Sequence, residues 1–213
     1  MMKRNAANWS AALAIAAALA APAGARADTI VDDWTKVQAP PPVELKDVKL
    51  DPRTTAYLVL DIVKQTCNTE RRPRCLTTVP RIAKLLDEAR SHRMPVIYSV
   101  IPNSAAADIL PAVAPKGDEP VVMTVANKFI RTDLDKILKE RGVTNLVIAG
   151  TAAEGAVLFT ASEAAFLGYK VIVPLDGASA VLPYAEQAVA WTLANAPGVG
   201  ASTTLTSFDR LSW

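Results

Sequence analysis

From residue 54 onward the chain alternates short unbroken apolar runs with stretches of helical period. "TAYLVLDIV" begins at Thr55 and is interrupted only at Asp61; "VIYSVI" begins at Val96, "PVVMTV" at Pro120 and "NLVIAG" at Asn145. Runs of this length without polar alternation mark strands covered on both faces. Between them, "VPRIAKLLDEARSH" puts Ile82, Leu85, Leu86 and Ala89 on one helical stripe, and Pro95 marks the break before the next strand. "TDLDKILKERG" predicts a helix with Thr132 as N-cap, Asp133 and Asp135 in the first turn, Lys139 and Arg141 in the last, and Gly142 as the stop. Residues 145–174 read as strand, small-residue turn around Gly150, helix, Gly168 stop and strand. "YAEQAVAWTLANAPG" then predicts an amphipathic helix and "STTLTS" a late strand.

Strands alternating with helices at this spacing are βαβ units, which build an α/β domain with a parallel sheet and helices on both faces. Ligands in such sheets bind beyond the carboxyl ends of the strands. Asp61, Asn103, the loop at Asn127 and Lys128, the Thr151 to Ala156 turn and Asp176 all fall at that edge.

The first residues follow another pattern. Lys3 and Arg4 precede the run Ala11 to Ala23, almost only Ala, Leu and Ile, and "ARA" at 25–27 supplies small residues at the cleavage positions. The pattern predicts a secretory signal peptide over 1–27, removed after Ala27, and a periplasmic or secreted protein with no membrane association after cleavage. The apolar run is too short to span ~30 Å of hydrocarbon at ~1.5 Å per residue. Residues 28–53, with three consecutive prolines in "QAPPPVELKDVKLDP", predict an extended lead-in with Trp34 as a packing anchor; residues 54–213 form the domain.

Cleavage removes Lys3, Arg4 and Arg26 and no acid, so 23 Lys plus Arg become 20 against 21 Asp plus Glu, a net charge of −1. With no basic stripe, nucleic acid is not an expected partner. Export also changes the reading of "CNTERRPRC": Cys67 and Cys75 suit a local disulfide in an oxidising compartment. A metal pair is the competing reading, but CxxC spacing is absent and His92 is the one histidine.

"LVLDIV", "KFIRTDLDKILKERGVTNLVIAG" and "GAVLFTASEAAFLGYKVIVPLDGASA" together resemble the isochorismatase-like hydrolases, the superfamily that also holds nicotinamidases and other cysteine amidases. The likeness covers residues 54–182. It implies a three-layer α-β-α sandwich around a six-stranded, mostly parallel, Rossmann-like sheet, a small-molecule substrate, and homo-oligomers. Amidase members use a cysteine nucleophile, an aspartate that takes its proton, and a lysine. Asp61 matches the aspartate. The cysteine position falls at Ala156, and the lysine position at Met123, with Lys128 the nearby lysine that either reaches inward in its place or is solvated. The resemblance also implies a cis peptide at Thr151–Ala152 and an oxyanion hole formed by the amides of Ala152 and Ala156.

Isochorismatases proper carry glycine at the cysteine position; an acidic group protonates the vinyl ether and water adds, so no nucleophile is needed. On that pattern Asp61 and Lys128 are the expected catalytic residues, and Asn127, Thr151, Ala152, Glu154, Gly155 and Ala156 the substrate-binding ones. Glu154 has two readings, a neighbouring carboxylate that raises the pKa of Asp61 or a first-turn acid that favours the helix dipole. No cofactor is expected, and the nicotinamidase metal site needs several histidines. Two functions stay open: an exported hydrolase of isochorismatase type, or a non-catalytic binding relative.

Overall fold

A computed structural model describes residues 28–213, so the predicted signal peptide lies outside the described residues. Among the described residues, 28–39 and 40–213 form two separate units. In the first, Thr29 and Asp32 hydrogen-bond across the start of a short helix, α1 (Ile30–Asp33), and Trp34, expected to anchor this segment, is 74% exposed.

The second unit is organised by a sheet of six strands: β2 (Thr55–Leu60), β3 (Val96–Val100), β4 (Val121–Met123), β5 (Asn145–Thr151), β6 (Lys170–Pro174) and β8 (Thr203–Thr206). Their order is β4-β3-β2-β5-β6-β8, every pair is parallel, and a two-residue strand β7 (Ala178–Ser179) pairs with the end of β5. All six residues of β2 are buried, and their alternation serves two cores. Ala56, Leu58 and Leu60 join Leu146, Ile148, Val171 and Val173 on one face. That face is covered by α3 (Leu134–Glu140), α4 (Leu158–Phe166) and α5 (Pro183–Asn195) through Leu138, Ala161 and Leu193. Tyr57 and Val59 face the other way and pack with Val79, Ile82 and Leu86 of α2 (Pro73–Ser91). The outcome is the three-layer sandwich that the alternating pattern implies.

Two helix starts differ from the expectation. α2 begins seven residues before Pro80: Pro73 occupies its first turn, where a missing N–H costs nothing, and Pro80 sits inside the helix with its ring outward. Cys75 is therefore helical rather than in a loop. α3 begins at Leu134 with Asp133 at the N-cap position, one residue beyond the expected cap, although the Thr132 hydroxyl accepts the Leu134 N–H at 3.3 Å while donating to the Lys128 carbonyl at 2.6 Å.

From Pro40 the lead-in belongs to this unit: Leu50 is buried, and β1 (Val48–Lys49) pairs with β9 (Leu211–Ser212). Beyond β9, Trp213 stacks on His92 at 4.1 Å between ring centroids, which gives the histidine a packing role.

Candidate active site

The register places the site. Leu60 ends β2 opposite Ser99 of β3 and Gly150 of β5, so the next residue, Asp61, leaves the sheet at its carboxyl edge between those two strands. Asp61 has a positive φ of 55°, uncommon for a residue with a Cβ, held by its N–H to the Ser99 carbonyl at 3.1 Å and by the Thr66 hydroxyl on its own carbonyl at 2.6 Å.

Asp61 is 4% exposed. The Ser99 hydroxyl donates to one carboxylate oxygen at 2.8 Å, and the Lys128 ammonium donates to the other at 2.7 Å. Lys128 is wholly buried, and its Nζ also reaches the Val125 carbonyl at 2.9 Å. Its backbone is pinned at both ends, the N–H to the Thr160 hydroxyl at 3.1 Å and the carbonyl by Thr132. Burial pushes the Asp61 carboxyl above its usual pKa, while Lys128 foremost, then Ser99, pull the other way.

Gly150 is required at the facing strand end. Its φ is 145°, and a Cβ there would collide with the Leu60 carbonyl. The chain then passes through the expected cis peptide at Thr151–Ala152 into a π-helical turn, Ala153–Val157, that leads into α4. Such turns often accompany functional sites. Here it carries Ala156, which borders the same cavity as Asp61.

Asp61, Thr66, Arg72, Thr151, Gly155 and Ala156 border a cavity of about 220 Å³. Five residues expected at the site meet on its wall: Asp61, Thr151, Ala152, Gly155 and Ala156. Lys128 stands behind Asp61 rather than on the wall. Asn127 is not brought in, since the Phe129 N–H (3.0 Å) and the Glu163 carboxylate (3.3 Å) take up its carboxamide. Glu154 points to solvent, because the buried positions of its turn are Ala153, Ala156 and Val157. Met123, aligned with the family lysine, is 56% exposed and off the wall. Asp176 also lies off the wall, accepting the Phe208 N–H and facing Arg81.

Arg71, Arg72, Ser99 and Thr66 were missed as site residues. The signal for the arginines was their place between the two cysteines, which form a buried disulfide with a Cα–Cα distance of 5.3 Å and leave no free thiol. Among the described residues no cluster of three His, Cys, Asp or Glu is placed to hold a metal. Size does not select the site: a larger groove of about 500 Å³ between α2 and Phe208 has Arg81 and Asp176 facing each other at 3.4 Å on its wall.

A buried Asp–Lys pair at the carboxyl edge of a parallel sheet, facing a turn with a cis peptide, defines an α/β protein of hydrolase architecture. Residues 55–206 match the isochorismatase domain, and the chain belongs to the isochorismatase family. It is 29% identical over 115 residues to the uncharacterized isochorismatase family protein YaaI of Bacillus subtilis, covering 46% of this chain and 64% of that protein. With YwoC of the same organism, also an uncharacterized isochorismatase family protein, it shares 28% over 162 residues, 63% of this chain and 82% of YwoC.

Solved structures show the same fold. An isochorismatase family protein from Desulfovibrio vulgaris superposes with a TM-score of 0.67 at 22% identity, covering 74% of this chain and 95% of its own. N-carbamoylsarcosine amidase from Thermoplasma acidophilum gives 0.63 at 22%, covering 73% and 97%.

Proposed function

We propose that the chain is an exported hydrolase of isochorismatase type, acting on a small carboxylate or enol ether without a covalent cysteine intermediate. The observation that carries this reading is the Asp61 carboxyl on the wall of a small cavity, with Lys128 behind it and Ala156, which has no nucleophile, opposite. Both cysteines are committed to the disulfide, which also supports the export reading.

In such a site Asp61 rests as the partner of Lys128, and burial raises its pKa so that a share is protonated; that share gives its proton to the methylene carbon of an enol ether. Water adds to the resulting oxocarbenium carbon, and one of its protons returns to Asp61. The hemiketal then collapses to a ketone and an alcohol. Ser99 and Lys128 stabilise the carboxylate left after the first transfer. Exposed Phe159, Phe166 and Trp191 on α4 and α5 support homo-oligomers.

The test is release of an α-keto acid from enolpyruvyl ethers. Asp61→Asn should lower turnover by the ~10²–10⁴-fold that acid–base catalysis contributes, with folding kept. The rate should also fall as pH rises through the elevated Asp61 pKa. The second reading, a non-catalytic binding relative, is favoured by the missing thiol at Ala156. Under it Asp61→Asn changes stability alone, and no enol ether is turned over.

A further inference from the structure

One charged group at the cavity has no structural partner. Five of the ten described arginines are paired: Arg53 with Asp51, Arg74 with Glu186, Arg81 with Asp176, Arg90 with Glu119 and Arg210 with Asp47. Arg71, Arg93, Arg131 and Arg141 are exposed and solvated. Arg72 is neither. It is half-buried on the cavity wall, and its Nε is shut off from water without a hydrogen-bond partner among the described residues. No ion pair or side-chain hydrogen bond engages Arg72 among the described residues, which leaves the outer N–H groups of its guanidinium for an acceptor in the cavity it borders.

The chain around Arg72 is built to hold it there. The Cys67–Cys75 disulfide closes the segment that carries it. The Asn68 carboxamide accepts the N–H groups of Glu70 (3.1 Å) and Arg71 (2.7 Å) and donates to the Lys64 carbonyl at 2.8 Å. The Arg72 N–H reaches the Asn68 carbonyl at 3.1 Å, and its own carbonyl accepts from Cys75 at 3.0 Å. Backbone freedom at Arg72 is therefore lost before any ligand arrives, which is the condition for an effective anchor.

Charge points the same way. Lys128 matches Asp61, so Arg71 and Arg72 leave the cavity wall positive; the exposed carboxylate of Glu154 acts on Arg72 from outside the wall without forming an ion pair with it among the described residues.

We infer that Arg72, carried to the cavity wall by the disulfide-closed segment 67–75, is the residue that recognises a carboxylate group on the ligand, so that this site takes small organic acids in preference to their neutral amides. The planar guanidinium fork suits a carboxylate in two-point contact, and it would orient the remainder of the molecule toward Asp61 and Ala156. The inference rests on the proposed site being a ligand site, but not on its chemistry.

The experiment is calorimetric titration of the full mature chain with benzoate and with its neutral isostere benzamide. Wild type should bind benzoate at least tenfold more tightly than benzamide. Arg72→Met should erase that preference, while Arg72→Lys, a point charge in place of a fork, keeps part of it. Arg141→Met, which removes an exposed charge away from the cavity wall, should change it less than threefold. The paired variant Cys67→Ala/Cys75→Ala, checked for folding by circular dichroism, should weaken benzoate with Arg72 intact. Equal binding of benzoate and benzamide to wild type, or a preference that survives Arg72→Met, overturns the inference. Asp61→Asn separates it from the hydrolase reading: lost turnover with benzoate affinity kept supports both, while unchanged turnover sinks the acid role of Asp61 and leaves the Arg72 subsite standing.

Discussion

Lys128→Met is the perturbation that tests most directly whether the centre of this site is a buried ion pair. The substitution keeps a long apolar side chain in a wholly buried position but removes the ammonium that donates to Asp61 at 2.7 Å and to Val125 at 2.9 Å. Asp61 is then left, 4% exposed, with the Ser99 hydroxyl as its one side-chain donor. Breaking a buried pair by deleting one partner costs ~3–5 kcal/mol, because the other charge stays buried without compensation.

At ~2–4 °C per kcal/mol for a domain of this size, the melting temperature should fall by roughly 6–20 °C at pH 7. The penalty should depend on pH in a definite direction. Burial already raises the Asp61 pKa, and Lys128 is the main influence opposing that rise, so its removal sends the pKa higher still. A carboxyl whose folded pKa lies above its unfolded value of ~3.9 contributes stability that is present below that value and lost as pH rises through the folded pKa. Urea unfolding of wild type and variant should therefore show a deficit that is full at pH 7 and shrinks toward pH 4. Adding Asp61→Asn to Lys128→Met should recover much of the loss, since neither charge is then stranded. A deficit below ~1 kcal/mol at every pH, the scale of an exposed pair, would show that Lys128 is solvated and refute the reasoning.

The other expectations concern the walls of the cavity. Ala156→Cys places a thiol facing Asp61 and Lys128, so its pKa should drop below the usual ~8.5 and iodoacetamide should label it at pH 7 about tenfold faster than in the Lys128→Met background; equal rates would remove Lys128 as the cause. Gly150→Ala should cost more than ~1 kcal/mol in chemical denaturation, since the new Cβ meets the Leu60 carbonyl at a positive φ; a neutral result would show that the strand end yields. Intact mass of the mature protein should show a chain beginning at Asp28 with no alkylatable thiol, and Cys67→Ser/Cys75→Ser should lose about 2 kcal/mol, the low end for so short a loop; two thiols reacting in the native protein would contradict the bond.

The sheet was legible because its strands are buried on both faces. "TAYLVL" and "NLVIAG" contain no polar residue that could suggest another environment beyond their first positions, and the helices between them forced parallel pairing. Asp61 stood out for the same reason, as the single charge within an apolar run. The start of α2 did not, because two prolines seven residues apart both satisfy the rule for a first turn, and the helix takes the earlier one, with Cys75 inside it. Thr132 was read one residue off the cap: its hydroxyl does accept the Leu134 N–H at the helix start, but it also donates to the Lys128 carbonyl four residues back, and the N-cap position falls at Asp133.

Lys128 shows where pattern reading stops. Alignment with the family directs attention to Met123, and nothing in "VANKFIRT" distinguishes a solvated lysine from a buried one. What decides is the fixed run of backbone around it: Thr160 from α4 holds its N–H, Thr132 holds its carbonyl, and the side chain has no route except inward to the carboxylate at the end of β2. A buried Asp61 requires a positive partner, but the requirement concerns where the ammonium lies and not which residue number supplies it. With a side chain as long as lysine's, a position five residues further along the chain can meet the same need. Loss of the lysine at one aligned position therefore does not imply loss of the charge at the site, and any inference of lost function from Met123 alone fails on this geometry.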